Sequence, residues 1–172
     1  MQKVLVIGSS GAGKSTFSRR LGEITGLPVV HLDKHHWRPG WVEPAKEVWR
    51  KQVEDLLSND RWIIDGNFGG TMELRLAQCD TAIFLDIPRH ICVWRVVKRV
   101  LEYRENTRPD MADGCAEKFD IPFLKWVWDF PKRSRPVVLE RLKRVEGRAK
   151  IVRLQQTREV TAFLGSLRTN GN

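Results

Sequence analysis

Gly8-Ser9-Ser10-Gly11-Ala12-Gly13-Lys14-Ser15 stands directly behind the apolar run Val4 to Ile7 and ahead of a stretch in which Phe17, Leu21 and Ile24 recur at helical spacing. A buried strand, a glycine-rich turn and a helix in that order make a phosphate-binding loop. Its backbone N–H groups, little hindered by side chains, can curl around a polyphosphate, while Lys14 reaches the β and γ phosphates and the Ser15 hydroxyl ligates Mg²⁺. The helix that starts there adds its positive N-terminus. The expected ligands are therefore ATP and Mg²⁺, with Gly8, Ser9, Ser10, Gly11, Ala12, Gly13, Lys14, Ser15 and Thr16 holding the nucleotide. GTP is disfavoured, because the guanine-reading Asn/Thr-Lys-x-Asp is absent; the nearest string, Glu117-Lys118-Phe119-Asp120, has the wrong first residue.

The 172 residues are 41% hydrophobic, enough for one core, and read as a single domain over residues 1–167 with a frayed tail at 168–172. The N-terminal apolar run is too short for a secretory segment and no later stretch approaches a membrane span, so the expected location is cytoplasmic. Cys79, Cys92 and Cys115 are odd in number and widely spaced, which fits reduced thiols rather than a disulfide framework or zinc site. The formal charge is +9, and residues 88–148 hold 15 Lys/Arg against 9 Asp/Glu, so most of the surplus lies there. Such a surplus suits a polyanionic substrate, nucleic acid or simple solubility, and charge alone does not choose.

Strands and helices alternate along the chain. Lys3 to Ile7, Val29 to Leu32, Arg61 to Asp65, Thr81 to Asp86 and Lys150 to Leu154 read as five strands. Between them, a helix opened by Pro44 carries Val48, Trp49, Val53, Leu56 and Leu57 on its buried stripe. Thr71 can cap a short helix through Ala77, and Pro88 opens a longer one with Val93, Val96, Val97, Val100 and Leu101 inward. Residues 104–116, polar and bearing both Pro109 and Gly114, read as a mobile lid. Helices over about 120–130 and 135–146, separated by a basic turn from Pro131 to Pro136, come next, and Thr157 caps a last helix. Strands separated by helices imply parallel pairing with right-handed crossovers, hence a three-layer α/β/α sandwich on a five-stranded parallel sheet.

Ligands in such sheets bind beyond the carboxyl ends of the strands, where Gly8, Asp33, Asp65, Asp86 and Gln155 fall. Gln155 is a candidate for the nucleotide side. Arg95 and Arg99, four apart on one helical face, and Arg104 and Arg108 in the lid are candidates to steady charge on a transferring phosphoryl group. The cluster Lys132, Arg133 and Arg135 suits solvent and ligand equally. An aspartate after a buried strand can simply cap a helix, or it can do chemistry. Asp33 faces the acceptor side, where a carboxylate would take a proton from a hydroxyl but repel a phosphate. Trp37 and Trp41 would wall the acceptor pocket or pack under the loop, and Arg38 would hold an anionic group of the substrate. His31, His35 and His36 invite a metal reading, but Pro28 and the strand-like run argue against the helix that would align them. Trp126 and Trp128 read as core or interface rather than a stacking platform.

The run Trp62-Ile63-Ile64-Asp65-Gly66-Asn67, then Phe84-Leu85-Asp86-Ile87-Pro88, then Arg95 and Arg99, resembles the order of elements in adenylate kinase and its relatives. That resemblance implies that Asp65 holds a magnesium-bound water and that the two arginines lie over ATP; Asp86 is the second choice for the metal and otherwise orients the phosphate loop. From Met1 to about Leu164 the chain also resembles the bacterial proteins named DNA topology modulation or FlaR-like proteins. The features are the phosphate loop, His31-Leu32-Asp33 followed by Trp37-Arg38-Pro39-Gly40-Trp41, Arg108-Pro109-Asp110-Met111, and Phe130-Pro131-Lys132-Arg133-Ser134-Arg135. The fold kinship implies a magnesium-dependent kinase acting on a small-molecule hydroxyl or nucleotide acceptor. The family name implies the alternative, an ATP-binding regulatory protein that contacts nucleic acid, although no groove-reading or RNA-binding motif is legible.

Overall fold

The computed structural model describes residues 1–103, 106 and 108–169. The expectation for Arg104 lies outside the described residues. Five strands form one sheet: β1 (Lys3–Gly8), β2 (Val29–His31), β3 (Trp62–Asp65), β4 (Thr81–Leu85) and β5 (Lys150–Leu154). Their spatial order is β2-β3-β1-β4-β5 and every pair is parallel. Because β1 lies between β3 and β4, the loop leaving its carboxyl end hangs over the middle of the sheet, where open α/β sheets place their ligand crevice.

Strand alternation sends successive side chains to opposite faces, and both faces are covered. Leu5, Ile7, Trp62, Ile64, Ala82 and Phe84 pack on one side with α3 (Lys46–Leu57) and α4 (Met72–Gln78). Val4, Val6, Ile63, Ile83 and Leu85 pack on the other with α1 (Lys14–Thr25), α5 (Arg89–Glu102) and α7 (Thr157–Thr169). This is the expected three-layer sandwich. The helix α7 carries Arg168 and Thr169, two residues into the stretch expected to fray, and 170–172 lie outside the described residues. Among the described residues no helix is long and apolar enough to cross a membrane. The three cysteines are buried and unpaired.

Four local expectations need correction. β2 ends at His31, where its register with Asp65 of β3 runs out, and the chain turns at once into the short helix α2 (Leu32–His36), so a helix does form after Pro28. Thr71 caps nothing with its side chain: its hydroxyl donates to the Phe68 carbonyl instead. On α5 the buried residues are Cys92 and Val96, while Leu101 is exposed; on α3 Val48 is exposed and Trp49, Val53 and Leu57 are buried. The largest difference is α6, a continuous helix from Ile121 to Arg144 that contains both Pro131 and Pro136. An interior proline costs about 3 kcal/mol, so the helix must be held by packing. Phe130, Val138 and Leu142 sit in one core and Val127 in the other, and the Asp120 carboxylate caps the first turn at the Phe123 N–H (3.0 Å).

Candidate active site

The phosphate loop runs from the end of β1 into α1. Gly11 has φ +77° and Gly13 φ +94°, and a Cβ on Gly11 would collide with the Cys92 carbonyl of α5. Only glycine combines that turn with that approach. The cradle so formed fits a polyphosphate. Lys14 folds back across it, donating to the carbonyls of Gly8 (3.0 Å) and Ser9 (3.1 Å). Burial lowers the Lys14 pKa, with the charges of Asp33 and Asp65 pulling the other way. From α5, Arg95 reaches the Gly11 and Ala12 carbonyls (3.5 and 3.4 Å) and donates to the Thr157 hydroxyl (3.2 Å), and Arg99 donates to the Ser10 hydroxyl (3.5 Å). The i, i+4 pair thus lies on the loop, as its spacing implied. Gln155 is exposed at the end of β5, its N–H donating to Glu159 (2.7 Å).

A buried carboxylate that the sequence did not single out organises the arginines. Glu117 is 6% exposed and takes ion pairs from Arg99 Nε (3.0 Å) and Arg108 Nε (2.6 Å) on one oxygen, so helix α5 and the lid meet there. Arg108 also pairs with Asp110 (3.2 Å). Asp110 in turn accepts a hydrogen bond from Ser15; burial pushes its carboxyl up, but Arg108 and that hydroxyl outweigh it and leave the pKa below its usual value.

Asp33, in the first turn of α2, lines the same cavity as Lys14, Ser10, Arg99 and Arg108. Burial raises its pKa, against the pull of the Lys14 and Arg108 charges. Beside it, the His31 ring meets Asp65 at 2.6 Å across β2 and β3, with Asp65 almost fully buried. Burial disfavours the charged imidazole, yet the Asp65 hydrogen bond and the charges of Asp65 and Asp110 prevail and raise the His31 pKa. A raised folded pKa gives stability that is full below the unfolded value near 6.5 and fades as pH rises through the folded pKa. Wild type should therefore exceed His31→Asn in melting temperature by more at pH 6 than at pH 9, approximate values chosen to bracket that titration; an equal difference at both would refute the pairing. The other histidines do not join it. His36 is buried edge-on against Trp37 and Trp49 and beside Phe68, and among the described residues no three His, Cys, Asp or Glu side chains gather into a metal site.

The turn after β3 is held by another residue not expected from sequence. Arg75 of α4, fully buried, donates to the carbonyls of Gly66 (2.7 Å), Asn67 (2.7 Å), Phe68 (2.9 Å) and Thr71 (3.3 Å). Burial pulls its pKa down to about 9, so it stays charged at neutral pH. The turn then presents Asn67, whose side-chain oxygen accepts from the Gly8 N–H (3.1 Å) and ties β3 to the phosphate loop. Arg75→Ala strands several buried carbonyls and should cost at least about 3 kcal/mol in a denaturant titration; a loss under about 1 kcal/mol would sink this account. On the other side, Asp86 is clamped between Arg135 of α6 (2.9 and 3.0 Å) and Arg153 of β5 (2.9 and 2.6 Å).

Trp37 and Trp41 stand together, ring centroids 5.3 Å apart, at the mouth of the site. The segment expected to be a lid packs on them here, with Met111, Ala112 and Cys115 buried against both rings. The Gly40 N–H donates to Gly114 (3.0 Å), the Trp41 indole to Ala116 (3.1 Å) and the Cys115 thiol to the Arg38 carbonyl (3.2 Å). The Arg38 side chain itself is exposed. Inside this seam lies a cavity of about 900 Å³, lined at one end by Ser10, Lys14, Asp33, Arg99 and Arg108 and at the other by α6. Trp126 faces it and keeps 41% of its surface exposed, whereas Trp128 lies under Arg89 (4.2 Å) with 45% exposed. Neither tryptophan is core, which leaves the interface half of the expectation of core or interface.

The same arrangement of elements recurs in solved kinases. A shikimate kinase from Acinetobacter baumannii in complex with shikimate superposes with a TM-score of 0.61 at 17% identity, over 99% of this chain and 95% of that one. A gluconokinase from Sinorhizobium meliloti gives a TM-score of 0.53 at 17% identity, over 98% and 94%. The fold is the P-loop kinase fold. No protein-family model matches the chain, and no curated protein matches it. At such identities the likeness carries architecture alone, and the chemistry has to come from the residues of this chain.

Proposed function

We propose that the protein is an ATP-dependent kinase that transfers the γ-phosphoryl group to a hydroxyl of a small-molecule acceptor. The observation that carries this reading is the convergence of Lys14, Arg99, Arg108 and a carboxylate with a raised pKa, Asp33, at one end of one cavity. Phosphoryl transfer needs positioning and positive charge around a spreading negative charge. Lys14 and the two arginines supply it. Asp33 accepts the acceptor's proton while the oxygen bonds to the γ-phosphorus and the bond to the β,γ-bridging oxygen breaks, releasing ADP. A carboxylate at that place would repel a phosphate acceptor. The Ser15 hydroxyl and the Asp65 and Asp110 carboxylates are hard oxygen donors that fit Mg²⁺ and would hold it, Asp65 through a water. When bound, the metal neutralises phosphate charge. Gln155 and Arg95 lie on the nucleotide side, and Asp86, engaged by two arginines, suits loop orientation rather than metal.

Several of the arginines are engaged within the fold, which favours a phosphate substrate over nucleic acid. Arg99 and Arg108 serve Glu117, Arg135 and Arg153 serve Asp86, and Arg75 and Arg148 serve backbone carbonyls. The buried thiols, two of them with pKa values pushed by burial to about 11, suit a reducing cytoplasm. Mg²⁺ and ATP at millimolar concentration should raise the melting temperature by mass action, and Lys14→Ala should remove most of that shift. An unchanged melting temperature in wild type would overturn the proposal.

A further inference from the structure

One face of α6 presents Phe123, Trp126, Phe130, Arg133, Val137 and Arg141, each three or four residues from the last, and all six line the cavity. The face is aromatic at its start and basic at its end. Phe123 and Trp126 are stacked (5.9 Å, 13°), and Phe130 meets Trp126 edge-on (6.1 Å). Trp126 lines the cavity and, with these two ring contacts made, still keeps 41% of its surface exposed. One turn beyond the aromatics, Arg133 has no ion-pair or hydrogen-bond partner among the described residues, and Arg141 is steadied by the Gly69 carbonyl (3.0 Å) and a longer ion pair to Glu73 (3.7 Å). The cavity, at about 900 Å³, sits at the top of the range of roughly 300–1,000 Å³ found for drug-sized ligands.

Resting on the kinase reading above, we infer that the acceptor is a flat aromatic alcohol bearing an anionic group, of the size of a nucleoside monophosphate. Its ring system lies on the Trp126 face, its anion is held by Arg133 with Arg141, and its hydroxyl points to Asp33. A guanidinium recognises carboxylate and phosphate alike in bidentate fashion. An aromatic platform is tolerant of which ring it stacks, since every base has a π-face.

The test uses the whole protein saturated with Mg²⁺ and a non-hydrolysable ATP analogue, so that the phosphate loop is filled. Calorimetric titrations compare ribonucleoside 5′-monophosphates, the matching nucleosides, aromatic hydroxy-carboxylates and shikimate as a small non-aromatic acid. At least one ring-bearing anion should bind about tenfold tighter than its neutral counterpart, a preference that Arg133→Ala abolishes. Trp126→Ala should weaken ring-bearing ligands about tenfold and spare shikimate. Trp128→Ala, outside the cavity, should change nothing. The inference is overturned if no ring-bearing anion binds, if shikimate binds at least as well, or if Arg133→Ala and Trp126→Ala leave affinities untouched. If ring-bearing anions bind as described but ³¹P spectra show no phosphomonoester formed from ATP, the assigned ligand class and its subsite on α6 stand and the transfer reading falls; turnover of a small acid with no ring-bearing anion bound gives the reverse.

Discussion

Asp33→Asn should lower acceptor-dependent turnover by about 10²-fold or more while ATP affinity stays nearly unchanged, because the substitution keeps size and removes the proton acceptor. Asp33 stands among charges that will be present whether or not an acceptor is bound: Lys14 and Arg108 draw its pKa down, and burial holds it above the usual carboxylate value. The net upward shift moves the group toward the operating pH, where a general base is most effective. Wild-type turnover should therefore climb with pH as Asp33 loses its proton, and the variant should lack that limb. Steady-state rates over a pH series, with ATP affinity measured separately, check both statements. The idea is sunk by a variant that turns over at the wild-type rate, or by an acceptor attacked through its phosphate.

Glu117→Ala should be strongly destabilising. Glu117 lies between two guanidinium groups that each approach one of its oxygens within 3.0 Å, and Arg108 already depresses Arg99 through repulsion, second only to burial. Removing the carboxylate leaves two buried like charges face to face, which costs about 3–5 kcal/mol, or roughly 6–20 °C in melting temperature for a chain of this length. A triphosphate supplies the missing negative charge. The stabilisation produced by ATP should accordingly be larger in Glu117→Ala than in wild type, an outcome that plain loss of packing would not give. Melting curves with and without Mg-ATP decide it: equal shifts would show that Glu117 is only a structural filler.

The phosphate loop was fully legible because its chemistry is local: the turn, the lysine and the serine are consecutive, and the flanking periodicities switch within a few residues. The parallel sheet followed from alternation; Asp33 was singled out by its place past a strand end, Arg95 and Arg99 by helical spacing, and Arg108 by the polar, proline- and glycine-bearing segment it lies in. Glu117, Asp110 and Arg75 were not read as site residues, since a buried charge has no local signature; what makes Glu117 special is Arg99, eighteen positions away. The error at α6 has a different origin. Two prolines five apart break an isolated helix, and the sequence does not show that Phe130, Val138 and Leu142 would find one continuous core. Reading a turn there hid the stripe that runs from Phe123 to Arg141, and with it the far half of the cavity.

The seam between residues 111–116 and the Trp37–Trp41 segment gives the protein a chemical clock. Cys115 is 1% exposed and its thiol is hydrogen-bonded across that seam, while Cys79 and Cys92 belong to the two cores on either side of the sheet. An alkylating reagent would reach the first thiol if this seam opened, and the other two only on unfolding of the sheet. A Cys115 labelling rate above that of Cys79 and Cys92 would therefore report local opening at a single atom, and equal rates would report global unfolding alone.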